Sequence, residues 1–207
     1  RLKRIVRDSE PDIVHFNSSI GAAYGRLALF RNRKIKLFYS PHCISFMRKA
    51  VGAIKLFLFR SCERVLDVIS PSTYIACSES ERKVIKQAGI GCELLENCIS
   101  DSFINKVDER RICRARSPII LTVGGIRAQK GPALFSRIAN HFGSSKVRFY
   151  WIGDGEEGFK KQLIGAGVCV LGWKTQDEIV DLLGRAAIYL STSDWEGLPV
   201  SVIEAQA

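Results

Sequence analysis

The chain of 207 residues is 46% apolar, which excludes global disorder and supplies core material for one larger or two modest domains. No uncharged apolar run reaches the roughly 18 residues that cross a bilayer, and the opening Arg1-Leu2-Lys3-Arg4-Ile5-Val6-Arg7-Asp8 carries charge through any secretory core. The formal charge of +10 is confined to residues 1–117, where 22 Lys and Arg face 12 Asp and Glu, while residues 118–207 hold nine of each sign.

So basic a first part suits an anionic partner such as a membrane surface or phosphorylated lipid. Nucleic acid is not expected, because no recognition motif and no interleaving of aromatic and basic residues accompanies the charge. The seven cysteines are odd in number and contain no Cys-x-x-Cys pair. They argue against a disulfide framework or a zinc site, and for buried thiols in a reducing, cytoplasmic setting.

In chain order, residues 2–8 read as the end of a helix and 13–16 as a short strand, separated by Pro11-Asp12. A polar loop over 17–21 leads into a helix over 22–30, a strand over 35–39 and the stop Ser40-Pro41-His42-Cys43. Residues 46–67 are predicted as one long helix, with Ile54, Phe57, Leu58 and Val65 forming an apolar stripe among Lys49, Lys55, Arg60 and Arg64. That helix could lie on anionic lipid or pack on a sheet. A strand over 73–77 follows, then Ser78-Glu79-Ser80-Glu81, whose Ser-x-x-Glu spacing is that of a capping box opening a helix that Gly89 ends. A short strand over 93–95 precedes residues 104–117, which are charged, lose periodicity and read as an interdomain linker. Beyond it lie strands over 119–123, 147–152, 168–171 and 187–190, with helices over 132–142, 156–164 and 176–184 between them. Such alternation predicts α/β domains with parallel, doubly wound sheets, at 1–113 and 114–207. Both ends read as cut, each domain being incomplete.

Four features carry chemistry. The turn Val123-Gly124-Gly125-Ile126-Arg127-Ala128-Gln129-Lys130-Gly131 joins a strand to a helix, so glycine backbone, helix N-terminus and two cations converge where a phosphate would sit. It lacks the Gly-Lys-Ser/Thr of a P-loop. Gly153-Asp154-Gly155-Glu156-Glu157-Gly158 matches G-x-G-x-x-G, but its three carboxylates would repel a pyrophosphate, so it reads as a tight connection and not as a dinucleotide site. His42 and His15 stand at strand ends, where ligand groups gather in open parallel sheets, and His15 is followed by Asn17 and Ser18. Cys43 beside His42 is not read as a nucleophile, since consecutive residues of an extended chain point apart. Finally, Glu196-Gly197-Leu198-Pro199-Val200 and Glu204 set two carboxylates eight positions apart around a turn whose proline opens a helix. The unpaired N–H groups of such a turn suit an anion, and the two glutamates suit the hydroxyls of a sugar or ribose.

These residues resemble the retaining, family 4 glycosyltransferases of GT-B fold. Glu196-Gly197-Leu198-Pro199 through Glu204-Ala205 resembles that family's E-x(7)-E signature, and Val123-Gly124 with Gln129-Lys130-Gly131 resembles its diphosphate turn. Ser40-Pro41-His42 resembles the acceptor-side histidine loop, Ser78-Glu79-Ser80-Glu81 the close of the first domain, and Glu96-Asn97-Cys98-Ile99 the turn after it.

The resemblance implies two Rossmann-like domains facing across a cleft, and transfer of a sugar from a UDP- or GDP-sugar to an acceptor hydroxyl with retained configuration. It implies no cofactor and no metal. Arg127 and Lys130 would hold the diphosphate near Gly125, and Glu204 would bind the ribose. Glu196 and the backbone of Gly197, Leu198, Pro199 and Val200 would position the donor sugar. His42 would face that sugar, His15, Asn17 and Ser18 would meet the acceptor, and Trp173 is a candidate wall for the base. A lipid-linked or glycan acceptor is expected, in surface polysaccharide or glycolipid synthesis at the inner face of the cytoplasmic membrane. The other readings are a sugar-nucleotide 2-epimerase of GT-B fold and a non-catalytic sugar-nucleotide-binding protein. Residues 1–207 alone are expected to be inactive.

Overall fold

Strand and helix alternate along the chain in the computed structural model, which describes all residues except 31, 33, 49, 50, 110–116 and 144. The residues group into two units, one of Arg1–Asn97 with Trp195–Leu198, the other of Cys98–Asp194 with Pro199–Ala207. The expected boundary at 113/114 lies outside the described residues.

The first unit runs α1 (Leu2–Ser9), β1 (Ile13–Asn17), α2 (Ser19–Leu29), β2 (Lys36–Ser40), α3 (Ala53–Ile69), β3 (Thr73–Ala76), α4 (Glu79–Gln87) and β4 (Cys92–Leu94). Its four strands are parallel, in the order β1-β2-β3-β4, with Asn17 opposite Ser40. Strand period sets the faces: Val14 and Phe16 of β1 turn toward the core, while Ile13, His15 and Asn17 are exposed. Side chains from all four helices join that core, among them Val6, Ala22, Leu56 and Ile85. Gly25 brings α2 close to β1, because a Cβ there would collide with the ring of Phe16.

Inside this core lies a polar cluster that the apolar pattern does not announce. Arg26 is fully buried and donates to the Ser70 carbonyl at 3.0 Å and the Tyr74 hydroxyl at 2.7 Å. It also pairs with Glu63 at 3.6 Å and Asp67 at 3.5 Å. Glu63 accepts from Tyr39 and Tyr74, so one carboxylate ties α3 to β2 and β3. Burial raises the Glu63 carboxyl above its ordinary value even against these partners.

The long helix expected over 46–67 is instead a single 3₁₀ turn at Ser45–Met47 followed by α3, which starts at Ala53. Its expected stripe does not pack on the sheet: Ile54 is 78% exposed, Phe57 68%, Leu58 52% and Val65 58%, and Val68 beyond it is 81% exposed. Glu63 is the buried residue of α3, and Leu56 and Phe59 pack against the core at helical spacing from it, so the helix is held by a mixed face and not by the expected stripe.

The second unit runs α5 (Asp101–Glu109), β5 (Ser117–Val123), α6 (Pro132–His141), β6 (Arg148–Ile152), α7 (Glu157–Gly165), β7 (Cys169–Val170), α8 (Gln176–Arg185), β8 (Ala186–Tyr189) and α9 (Val200–Gln206). Residues 104–109 of the stretch read as an irregular linker are therefore helical, within α5, while 110–116 lie outside the described residues. Buried Phe103 and the Lys106–Asp177 pair at 3.3 Å hold α5 to this unit. All four strands are parallel, in the order β7-β6-β5-β8. Phe149 and Trp151 of β6 pack with Phe135 and Leu163 from α6 and α7, whereas Ile152 packs with Ile119 and Leu121 alongside Ile179 and Leu182 of α8. Alternate residues of one strand thus serve two cores, the signature of a sheet covered on both faces. Each fully buried side chain of this size contributes about 1.5–3 kcal/mol.

Candidate functional site

In the second unit, β6 follows β5 on one side and β8 returns on the other, so the strand order reverses at β5. Open α/β sheets bind ligands outside the carboxyl ends of the strands at such a reversal. Two loops leave the sheet there. Gly124 to Gly131 follows β5, with a 3₁₀ turn at Ala128–Lys130, and the loop after β8 runs toward Pro199. Thr192 Oγ1 donates to the Lys130 carbonyl at 3.0 Å, and the Asp194 N–H donates to the Gln129 carbonyl at 2.9 Å. Gly131 has φ of +66°, and a Cβ there would collide with the Thr192 carbonyl. A side chain at 131 would therefore push the two loops apart.

The Lys130 side chain lies back over Gly124, its Cε 3.1 Å from where a Cβ of residue 124 would sit. Arg127 is exposed at the start of the 3₁₀ turn. The glycines at 153 and 155 have their own explanation. A Cβ at Gly153 would collide with the Gly124 carbonyl, and one at Gly155 with the Ile126 carbonyl. The Ile126 N–H donates to Asp154 O at 2.9 Å and the Glu156 N–H to Ile126 O at 2.8 Å, so the loop buttresses the basic turn through backbone. Lys160 lies 3.0 Å from Asp154 and holds its carboxyl below the usual range. Trp173 is 71% exposed, its Cη2 3.7 Å from a Cβ position on Gly125.

Pro199 caps α9 from outside and Val200 opens it. Glu204, one turn further on, lines a cavity of about 150 Å³ with Phe103, Val107, Val180 and Leu183. Partial burial among these groups raises its carboxyl above the ordinary value.

In the first unit, the loop after β2 is the unusual element. His42 has φ of +52° and Cys43 of +102°, a region that residues with a Cβ seldom occupy. The His42 ring is exposed, and its Nε2–H donates to Asn17 Oδ1 at 3.1 Å. His15, two residues back on the same face of β1, hydrogen-bonds Ser40 Oγ at 2.8 Å. Ser18 caps α2 by accepting from the Gly21 N–H at 3.4 Å. Gly197 is packed against the same loop: a Cβ there would lie 2.5 Å from Cys77 Sγ, 3.1 Å from Cys43 N and 3.3 Å from the His42 carbonyl carbon. Asn97 Nδ2 donates to the next carbonyl, Leu198 O, at 2.6 Å.

The reason given above for discounting Cys43 does not hold, because neither it nor His42 is extended. Electrostatics supplies the reason instead. Burial first, then the negative charges of Glu81 and Glu196, push the Cys43 thiol up to about 11. Burial and the hydrogen bond to Glu81 push Cys77 to about 12. Thiols held so high are poor nucleophiles at neutral pH. Among the described residues, no three His, Cys, Asp or Glu are grouped to hold a metal ion.

Two sequence-family models match this chain: Glycosyltransferase Family 4 over residues 1–102 and Glycosyl transferases group 1 over residues 117–207. The chain belongs to the family 4, group 1 glycosyltransferases. It is similar to an "Uncharacterized 41.2 kDa protein in cps region" of Klebsiella pneumoniae, 25% identical over 94% of this chain and 57% of the relative. It is also similar to the Escherichia coli "UDP-Gal:alpha-D-GlcNAc-diphosphoundecaprenol alpha-1,3-galactosyltransferase", 25% identical over 100% of this chain and 58% of the relative. The chain thus spans less than two thirds of the length of these curated relatives. In fold, it is similar to HepE of Anabaena in complex with UDP-glucose, with a TM-score of 0.72 and 19% identity over 99% of this chain and 60% of that one. The two parallel α/β units are those of the GT-B glycosyltransferases.

Within this glycosyltransferase chain, the structure brings Asn17 to His42, Gly197 to the His42 loop, and Trp173 to Gly125. His15 is engaged with Ser40, and Ser18 has a helix to cap. Two residues were missed. Thr192 belongs to no motif, and its role comes from its place opposite Lys130. Glu81 was read as one half of a capping box, but only the other half forms: Ser78 Oγ accepts from the Glu81 N–H at 3.2 Å, while the Glu81 carboxylate turns elsewhere.

Proposed function

We propose that the full-length protein is a retaining glycosyltransferase that uses no metal, moving a sugar from a UDP- or GDP-sugar to an acceptor hydroxyl. The observation that carries this reading is the strand-order reversal at β5, where a glycine-rich basic turn is tied to the loop leading into Glu196 and α9. The sugar–phosphate bond breaks and the nucleoside diphosphate leaves with its electron pair. The acceptor oxygen then bonds to the anomeric carbon on the vacated face and passes its proton to the departing diphosphate oxygen. Lys130 and Arg127 offset the charge that develops on the departing diphosphate, usually the largest contribution in such a step. Glu204 takes the ribose hydroxyls. Glu196 and the backbone from Gly197 to Val200 orient the sugar, and His42, its ring fixed by Asn17, contributes to holding it.

The acceptor is a lipid-linked saccharide or glycan of surface polysaccharide or glycolipid synthesis. Support comes from the E. coli relative, whose name specifies a diphosphoundecaprenol acceptor. The protein works at the inner face of the cytoplasmic membrane, as a peripheral protein. This rests on the exposed apolar stripe of α3, beside which Lys55, Arg60 and Arg64 are also exposed. Among the described residues, no helix is long and apolar enough to cross a membrane.

The deciding experiment is thermal unfolding of the full-length protein against a panel of nucleoside diphosphates and their sugars, NADH included. A ligand at 100 times its dissociation constant adds about 2.7 kcal/mol. Stabilisation by UDP or GDP species, with free diphosphate released only when an acceptor is added, is the expected result. Diphosphate release without acceptor incorporation would replace transfer by epimerisation, and stabilisation without any product would leave a binding protein. Stabilisation by NADH alone would overturn the reading.

A further inference from the structure

We propose that Glu81 is a positioning residue for the transfer reaction, holding the His42 loop in its working shape; this rests on the transferase reading above. Glu81 is fully buried at the third position of α4, where the helix N-terminus favours a negative charge. Its carboxylate does not reach back to its own N-cap. Oε1 accepts from the N–H groups of Cys43 and Ile44, each at 2.7 Å, and Oε2 accepts from the Cys77 N–H at 2.9 Å and the Cys77 thiol at 3.1 Å. One carboxylate therefore fastens the loop after β2 to the loop after β3. Both lie at the carboxyl ends of adjacent parallel strands.

The consequence falls on His42. Two consecutive residues with a Cβ at positive φ persist only where the surroundings over-determine them. Glu81 supplies that hold by drawing the Cys43 and Ile44 N–H groups inward, which leaves His42 at the exposed apex, donating to Asn17. The same two cysteines bound the position of Gly197, the residue after Glu196. A single buried charge thus fixes the histidine loop and the surface on which the Gly197 backbone rests. All four of its contacts are donors, so the side chain must be an acceptor at both oxygens. Glutamine would turn an NH₂ group toward N–H donors in either orientation.

The test uses full-length E81Q and E81D. Aspartate suits the helix N-terminus but is one methylene too short to span to Cys43 and Ile44 as well as Cys77. Both variants should keep the donor-induced stabilisation of the wild type while kcat for transfer falls about 10- to 100-fold, the scale of an ångström of misplacement. The His42 ring resonances should shift in NMR spectra at fixed pH, which a merely structural role for α4 would not cause. Adding Cys43→Gly to E81Q removes the Cβ that disfavours positive φ and should restore part of kcat. If E81Q does not fold, E81D decides. A folded variant with wild-type kcat and unmoved His42 signals would overturn the proposal. If the wild type transfers no sugar, the transferase reading fails on its own, and the His42 signals still report whether Glu81 holds the loop.

Discussion

Thr192 donates its hydroxyl to the Lys130 carbonyl at 3.0 Å, fixing the basic turn after β5 from the neighbouring loop after β8. The lysine is therefore set by its backbone as well as by the glycine beneath its side chain. Full-length K130A should lose transfer by at least about 100-fold, the scale of removing a major electrostatic contact to the developing charge. E196A should fall comparably if Glu196 orients the sugar. T192V removes only the tie, a neutral hydrogen bond of about 0.5–1.5 kcal/mol, and should cost correspondingly less. Steady-state kinetics on the three variants checks the order, and near-normal turnover in K130A and E196A would remove the site assignment.

Glu81 illustrates what the sequence withholds. Ser78-Glu79-Ser80-Glu81 is a local pattern, and its local half forms; the carboxylate is claimed by Cys77 and, at its other oxygen, by Ile44 and Cys43, 37 and 38 positions away. Alternating apolar runs gave the strands and helices because each face of β6 has to meet a different core. Periodicity marked a stripe on α3 but could not say which face turns inward, since Leu56, Phe59 and the Glu63 contact with Arg26 anchor the helix from the other side. The short helix α5 was hidden because its stability is tertiary, resting on Phe103 and on the Lys106–Asp177 contact. The histidine loop was legible as a strand end, whereas its positive φ values follow from donors meeting a distant carboxylate.

Arg26 gives a stability prediction. R26M keeps the volume of the side chain but leaves the buried Glu63 carboxylate without its cation, and breaking such a pair from one side costs about 3–5 kcal/mol. Urea unfolding followed by fluorescence should show the unfolding free energy falling by that amount, with a lower midpoint. R26M/E63Q, which removes both charges, should recover part of the loss. An unchanged midpoint in R26M would show the cluster to be energetically idle.

Glu178 gives a pH prediction. Its carboxyl is held down to about 2 by the Lys174 ammonium, then by the Thr175 N–H and hydroxyl, within the capping box that opens α8. A pKa depressed on folding means that the folded state binds the proton less readily than the unfolded chain does. The contribution is then complete above the ordinary value of 4.5 and is lost as pH falls toward about 2. An NMR titration should place the Glu178 midpoint near 2, and T175A should move it upward. A midpoint near 4.5 in the wild type would show that the box does not form in solution.

The α3 stripe gives the prediction for localisation. Ile54, Phe57, Val65 and Val68 recur at helical spacing on one exposed side, and Lys55, Arg60 and Arg64 are exposed around them. An apolar face with basic residues about it suits an anionic bilayer surface, where each Lys or Arg adds about 1 kcal/mol and salt weakens the attraction. Full-length protein should sediment with phosphatidylglycerol vesicles and far less with phosphatidylcholine vesicles. F57E/V65E should release it while leaving transfer to a short, water-soluble acceptor intact. If the double variant still sediments, α3 is not the contact. If the wild type ignores both vesicle types, the membrane reading falls, and the exposed face belongs against protein instead.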